Sequence, residues 1–188
     1  MAVNIINPDY QAQLAQMHRQ GRFDLGIRML SMLHPFIDQY HPTSILDFGC
    51  GHGALMTGIQ ETYPDISVEG YDPGNPQYRR IPNRSFDAVV STDVFEHIEL
   101  EHLAETLQLI SNKMTKAGWF RIACYPAKKH LPDGRNAHLI VQPPAWWRQQ
   151  LLNNMNIAIV KEEISTVDKS HKWPGVVGEN YDVTVEVR

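Results

Sequence analysis

The stretch SILDFGCGHGALM, residues 44–56, sets three glycines, Gly49, Gly51 and Gly53, within five positions directly after an apolar run. A chain gives up side chains where its backbone must bend sharply or where something must approach it closely. Ser44 to Phe48 therefore reads as a buried strand, and Ala54 to Thr62 as the helix it feeds. A glycine-rich turn between a strand and a helix N-terminus has the elements of a phosphate- or nucleoside-binding corner in an open sheet.

The rest of the chain alternates in the same way. Leu25, Met29, Met32, Leu33, Phe36 and Ile37 recur at helical spacing between Phe23 and Gln39, with Asp24 placed to cap the start. A weaker helical pattern covers about residues 8–19. Ile66 to Tyr71 reads as a strand closed by the turn signal DPGNP, and Phe86 to Ser91 as the next. Leu100, Leu103, Leu107, Ile110 and Met114 step by three and four, which predicts a helix with Gly118 as its C′ residue, followed by the strand WFRIACY. PPAWWRQQLLNNM predicts a helix with proline in its first turn, and NIAIVKEEI and YDVTVEVR predict two closing strands. Strands alternating with helices predict an α/β fold with a largely parallel sheet, and 188 residues suffice for one compact core.

Charge and cysteine content narrow the function classes. A net charge of −4 weighs against wide electrostatic contact with nucleic acid, although it leaves room for a local basic rim. The amino-terminal MAVNIINPDYQAQ lacks a basic segment followed by a long apolar core, so the expected address is cytoplasmic, and the longest apolar runs are strand-sized, so no membrane span is expected. Cys50 and Cys124 sit in separate strand-like contexts without CxxC spacing and read as small buried residues.

The glycine turn alone leaves two cofactor classes open. Gly49, Gly51 and Ala54 satisfy GxGxxG/A, and Asp72 stands 23 positions beyond Gly49, where a ribose-binding acid is expected for a dinucleotide. Asp47 argues the other way: a carboxylate two positions before the first glycine would repel a pyrophosphate and attract a cation. The string STDVFEHIE, residues 91–99, follows the strand FDAVVS and precedes the best helix. With LDFGCGHG, EGYDPG and FDAVVSTDVFEHI in that order, residues 43–125 resemble the class I S-adenosylmethionine-dependent methyltransferase family.

That resemblance implies a Rossmann-like, doubly wound and mostly parallel sheet of seven strands or fewer, with the last strand antiparallel. Only YRRIPNR lies between the turn after Asp72 and FDAVVS, which leaves little room for the family's third strand and its preceding helix. It also implies S-adenosylmethionine as cofactor, with Asp47 and the backbone of Gly49, Cys50 and Gly51 against its methionine part. Gly53 would carry the turn into its helix, Asp72 would accept from the ribose hydroxyls, Pro73 would flank the adenine, and Asp93 and Val94 would close the methionine end. Residues 1–188 would form one domain, with a helical cap over 1–40, a cofactor-binding core over 43–125 and a substrate-side loop, helix and strands over 126–188. Arg22, in HRQGRF, would reach the cofactor carboxylate.

A sulfonium departs as a neutral thioether, so catalysis needs positioning and removal of an acceptor proton. His97 is the first candidate base, because an unperturbed imidazole titrates near neutrality; His138, in the connection PAKKHLPDGRNAHLIVQPP, is the second, and His130 reads as a solvated loop residue. Asp93, Glu96 and His97, with His138, also resemble the set with which small-RNA 3′-terminal methyltransferases hold a divalent metal; the reading preferred here assigns no metal. Lys128, Lys129, Arg135 and Arg148 with Trp146 and Trp147 offer a basic aromatic rim, against which stands burial of at least one tryptophan in the core. The expectation is methyl transfer to oxygen of a small-molecule acceptor, with oligomeric state open. Its rivals are a metal-assisted RNA 3′-end methyltransferase, a nicotinamide-dependent oxidoreductase and a non-catalytic cofactor-binding partner protein.

Overall fold

The computed structural model describes residues 5–20 and 26–188. Asp24 and Leu25 of the expected helix, and Arg22, lie outside the described residues.

Asn7 accepts the amide of Asp9 and Pro8 opens the first turn of helix α1 (Pro8–Arg19), the cap and proline pairing that starts a helix cleanly. The next segment enters through a 3₁₀ turn (Gly26–Met29) and becomes helix α2 (Leu30–Tyr40), with Pro35 inside it. Strand β1 (Ser44–Phe48), helix α3 (Ala54–Thr62) and strand β2 (Ser67–Tyr71) follow as the sequence indicates. Residues 72–85 then turn without forming a strand, in keeping with Pro73, Pro76 and Pro82, whose nitrogens cannot donate to a ladder. Strand β3 (Phe86–Thr92), a short 3₁₀ turn (Phe95–His97), helix α4 (Leu100–Lys113) and strand β4 (Met114–Ala123) complete the central part. Helix α5 (Pro144–Asn154) leads into a long hairpin of β5 (Ile157–Asp168) and β6 (Val177–Val187).

One boundary differs from the sequence reading. Gly118 is not a helix C′ residue; it lies inside β4, paired with Val89 and Val185. Met114, the last apolar step of the helical pattern, is already extended (φ −100°, ψ 132°) and pairs with Phe86. The β-branched Thr115 fixes this exit by donating its hydroxyl to the Phe86 carbonyl at 3.0 Å.

The sheet has six strands in the order β2-β1-β3-β4-β6-β5. β2, β1, β3 and β4 are parallel, and β6 runs antiparallel to both β4 and β5. This is the doubly wound, mostly parallel sheet expected, reduced by one strand, with the last strand reversed. Period-two alternation sends Leu46 and Val89 to one face and Ile45, Ala88 and Val90 to the other. α4 and α5 cover the first face with Leu103, Leu107, Ile110, Trp147 and Leu151; α2 and α3 cover the second with Leu33, Phe36, Ile37, Leu55 and Ile59. α1 packs apart from both, through Tyr10 and Met17 onto Leu131 and Ala137 of the loop after β4. The pairings Ala123 with Asn180 and Asp168 with Val177 bring the tip of the β5–β6 hairpin to the edge where the parallel strands end. No helix among the described residues is long and apolar enough to cross a membrane.

Candidate functional site

At that edge the chain leaves β1 through a turn in which Gly49, Gly51 and Gly53 all hold positive φ, at 88°, 57° and 85°. Gly49 also has no room for a side chain, since a Cβ there would fall 2.2 Å from Cγ2 of Val94. Four of the turn's amides are already used. Gly49 and Cys50 both donate to the Tyr71 carbonyl (2.7 and 3.1 Å), Gly51 donates to Oδ2 of Asp72 (2.9 Å), and Gly53 donates to the Cys50 carbonyl (2.8 Å). A corner that cradles pyrophosphate needs such amides pointing at the ligand, and these four point elsewhere.

Above the turn lies a cavity of about 330 Å³, lined by Asp47, Gly49, Cys50, Gly51, Asp72, Pro73, Asp93, Val94, His97 and His138 among others. Gly53 is not among its lining residues; it caps α3 from below, where a Cβ would meet the Tyr78 hydroxyl oxygen at 2.9 Å. Asp47, paired in β1 between Gly70 and Val90, is 2% exposed, and its Oδ2 has no hydrogen-bond partner. Burial, with the charge of Asp72 second, pushes its pKa up to about 7. A buried, unpartnered carboxylate facing a cavity is a site prepared for a cation.

Asp72, directly after β2, is buried and heavily engaged. Its Oδ1 accepts from the Gly74 amide at 2.8 Å and lies 3.2 Å from Nε2 of His18. Asn75 extends this network by donating to the Gly51 carbonyl at 2.7 Å. α1 also reaches the site through Gln11, whose side-chain amide donates to the Pro73 carbonyl (3.0 Å), and Tyr10, whose hydroxyl donates to the His97 carbonyl (2.6 Å).

Beyond β3, Asp93 sits at positive φ (53°) and opens onto the cavity, its side chain 45% exposed with Nε of Arg121 4.0 Å away. Glu96 is completely buried, neither of its oxygens has a hydrogen-bond partner, and burial followed by the Asp93 charge holds its pKa well above the usual range. Glu96, His97 and His138 bring one ligand-type atom each to within 4.8 Å of one another. Both histidines contact backbone carbonyls through Nδ1, His97 that of Ala137 (2.6 Å) and His138 that of Tyr125 (2.5 Å). A carbonyl oxygen only accepts, so both Nδ1 atoms carry hydrogen and both Nε2 atoms carry the lone pair. Burial, then the neighbouring His138, pushes the His97 pKa down to about 3, and burial lowers that of His138. Both rings are thus neutral at pH 7, with His97 a weaker base than its type suggests.

The other sequence candidates scatter. Trp147 is fully buried under α5 and Trp146 packs against the same core, while Arg148 pairs with Glu162 at 3.3 Å, so none of the three joins a rim. His130 is exposed in the loop after β4, forming an isolated bridge with Asn136. Cys50 and Cys124 are free thiols, the first buried in the cavity wall. Lys128 and Lys129 after β4, Tyr125, and Lys169 and Trp173 at the hairpin tip line the cavity instead, with Tyr10, Phe48 and Tyr71 among its other aromatic residues. His18, Lys169 and Trp173 carry no local sequence signal as site residues, because only the packing of α1 and the hairpin tip onto the strand ends brings them there.

Residues 16–160 match a family model described as a methyltransferase domain. No curated protein sequence matches the chain significantly. Among solved structures, the chain is similar to the Burkholderia thailandensis 1,6-didemethyltoxoflavin-N1-methyltransferase with bound 1,6-didemethyltoxoflavin and S-adenosylhomocysteine (TM-score 0.66, 16% identity, 100% of this chain and 93% of that one). It is also similar to magnesium protoporphyrin IX methyltransferase from Synechocystis PCC 6803 with bound S-adenosylhomocysteine (TM-score 0.56, 13% identity, 100% and 90%). A third similar structure is coclaurine N-methyltransferase with N-methylheliamine and S-adenosylhomocysteine (TM-score 0.57, 13% identity, 84% and 72%).

Proposed function

Because the chain belongs to the methyltransferase-domain family, we propose that it moves the methyl group of S-adenosylmethionine to an oxygen of a small hydroxylated molecule. The observation that carries this reading is Asp47, a buried carboxylate with an unpartnered oxygen beneath a turn whose Gly49, Cys50, Gly51 and Gly53 amides are already engaged. That pair of features suits a cation and disfavours a pyrophosphate, which counts against the nicotinamide reading. The cofactor, when bound, supplies an electrophilic methyl on a positively charged sulfur.

This chain's residues then divide the work. Asp47 stabilises the positive charges of the methionine part, and the backbone of Gly49, Cys50 and Gly51 lies against it. Asp72 takes ribose hydroxyls and Pro73 flanks the base, while Gly53 holds the turn in place. Asp93 and Val94 close the methionine end, and residues 1–40 cap the site as one part of a single domain. His97 and His138 face the acceptor with Nε2 lone pairs, positioning its hydroxyl and receiving its proton as the new bond forms. The expected address is cytoplasmic. Titration calorimetry with S-adenosylmethionine on wild type and Asp47→Asn tests the reading; equal affinity for both would overturn it.

A second reading is favoured by the Glu96, His97 and His138 cluster. Two neutral imidazoles and a buried carboxylate without hydrogen-bond partners fit a borderline divalent cation, which would hold vicinal hydroxyls and lower their pKa. The acceptor would then be a diol, the ribose of an RNA 3′ end included. Mn²⁺ binding to the metal-stripped protein, followed by electron paramagnetic resonance and lost in Glu96→Gln, separates this reading from the first without recourse to activity.

A further inference from the structure

The acceptor end of the cavity is basic, although the chain carries a net charge of −4. Lys128, Lys129 and Lys169 all line it, from two segments that meet only in the folded chain. Aromatic rings stand among them: Nζ of Lys128 lies 4.4 Å and Nζ of Lys172 4.9 Å from the centroid of Trp173, and Nζ of Lys169 lies 5.5 Å from that of Tyr125.

This arrangement is held by backbone. The Lys169 amide donates to the Val176 carbonyl (2.9 Å), Trp173 to Lys169 (2.8 Å) and Val176 to Trp173 (3.1 Å), so the hairpin tip is a closed turn. Gly178 lets the tip lie close over the strand ends, since a Cβ there would fall 2.6 Å from the Tyr125 Cβ and 2.9 Å from the Cys124 carbonyl oxygen. Asp168, an acid beside the tip, accepts from the amide and hydroxyl of Ser170. Among the described residues, neither Lys128 nor Lys169 has a carboxylate within ion-pair distance, whereas Arg121, Arg135 and Arg148 each have one.

We propose that the acceptor is a planar hydroxylated molecule bearing a carboxylate or phosphate, its ring packed on Trp173 and Tyr125 and its anionic group held by Lys128, Lys129 and Lys169. The proposal rests on the methyltransferase reading above and names the substrate class of that site. The cavity then carries its charge unevenly, acidic at Asp47, Asp72 and Asp93 and basic at the lysines. A cationic methyl donor and an anionic acceptor sort themselves to opposite ends, which places the hydroxyl beside His97 and His138 and excludes the reversed arrangement. Lysines suit this task because their mobile point charges accept carboxylate or phosphate without a fixed fork.

The test is calorimetric titration of the protein saturated with S-adenosylhomocysteine, using catechol, 3,4-dihydroxybenzoate, phenyl phosphate and a short single-stranded oligoribonucleotide as probes. At low salt, one or both of the small anions binds at least about 10-fold more tightly than catechol, and their ranking tells carboxylate from phosphate recognition. The preference collapses in about 0.5 M salt and in the Lys128→Gln/Lys169→Gln double variant. Trp173→Ala weakens every ring compound by about 3- to 10-fold. Equal binding of catechol, a preference that survives the double variant, or binding of the oligoribonucleotide alone overturns the proposal, as does the absence of any binding. Failure of S-adenosylhomocysteine itself to bind would instead sink the cofactor reading.

Discussion

Nε2 of His18 stands 3.2 Å from Oδ1 of Asp72, so helix α1 closes directly onto the acid that follows β2. Together with Gln11 on Pro73 and Tyr10 on His97, the contact makes α1 a strap tied to both halves of the cavity. His18→Ala removes one of several ties, which include Gln13 on Asp133. Amide exchange across residues 8–19 should accelerate by about 5- to 10-fold, corresponding to roughly 1 kcal/mol of lost local stability. Unchanged exchange would mean that the contact does not hold the helix.

Asp72→Ala is the harsher change, because the carboxylate serves the Gly51 and Gly74 amides as well as the proposed ribose. Affinity for S-adenosylmethionine should fall by on the order of 1–3 kcal/mol, as buried hydroxyls lose a charged acceptor. Calorimetry that finds equal affinity would remove Asp72 from the site.

The raised pKa of Asp47 has a sign that can be checked. Its folded value of about 7 lies above the ordinary 3.8, so the folded protein holds this proton more tightly, and the residue's contribution to stability falls as pH rises from about 4 to 7. Asp47→Asn should therefore melt higher than wild type by about 3 °C or more at pH 8, with the difference vanishing near pH 4. A bound cation reverses the preference and draws the proton off. Wild-type affinity for S-adenosylmethionine should then rise with pH through the same window, with proton release visible in buffers of different ionisation enthalpy, and the variant should show neither.

Gly49 and Gly134 separate strain from collision. Both hold positive φ, 88° and 91°, but a Cβ at Gly134 meets nothing within 4 Å, while one at Gly49 would collide with Val94. Gly134→Ala should cost about 1 kcal/mol, and Gly49→Ala about 2–4 kcal/mol together with loss of cofactor binding. Denaturant unfolding measures both, and equal costs would show that Val94 simply moves aside.

His97→Ala should spare cofactor affinity and lower turnover by about 100-fold if the ring receives the acceptor's proton or holds a metal that does. Single-turnover measurements on an acceptor found by the probes above decide it. Because the folded pKa of about 3 lies below the ordinary 6.5, the neutral ring contributes stability that is fully present above pH 6.5 and lost as pH falls toward 3. The variant should accordingly be less sensitive to acid than wild type.

The features that contiguous strings encode were legible in the sequence. The glycine turn, Asp47, Asp72 and the segment from Asp93 to His97 each belong to one strand and the turn that ends it, so their placement at one edge follows from strand order. Gly118 was misread because a lone glycine after a helical pattern signals a cap, whereas here the pairing of Met114 with Phe86 ends the helix earlier. Burial of at least one of Trp146 and Trp147 was legible from their place at a helix start, and α5 turns both to the core, whereas nothing local marked Trp173, which the hairpin tip brings to the cavity. The spent amides of the turn were equally beyond reach, since Tyr71 and Asp72 accept them only once β2 lies beside β1.

Calorimetric titration of the metal-stripped protein with S-adenosylmethionine, S-adenosylhomocysteine and the nicotinamide dinucleotides in parallel decides which cofactor the glycine turn serves. The first two should bind with Kd on the order of 1–100 μM and none of the dinucleotides should bind. Binding of a dinucleotide in place of S-adenosylmethionine would contradict it and return the glycine turn to the oxidoreductases.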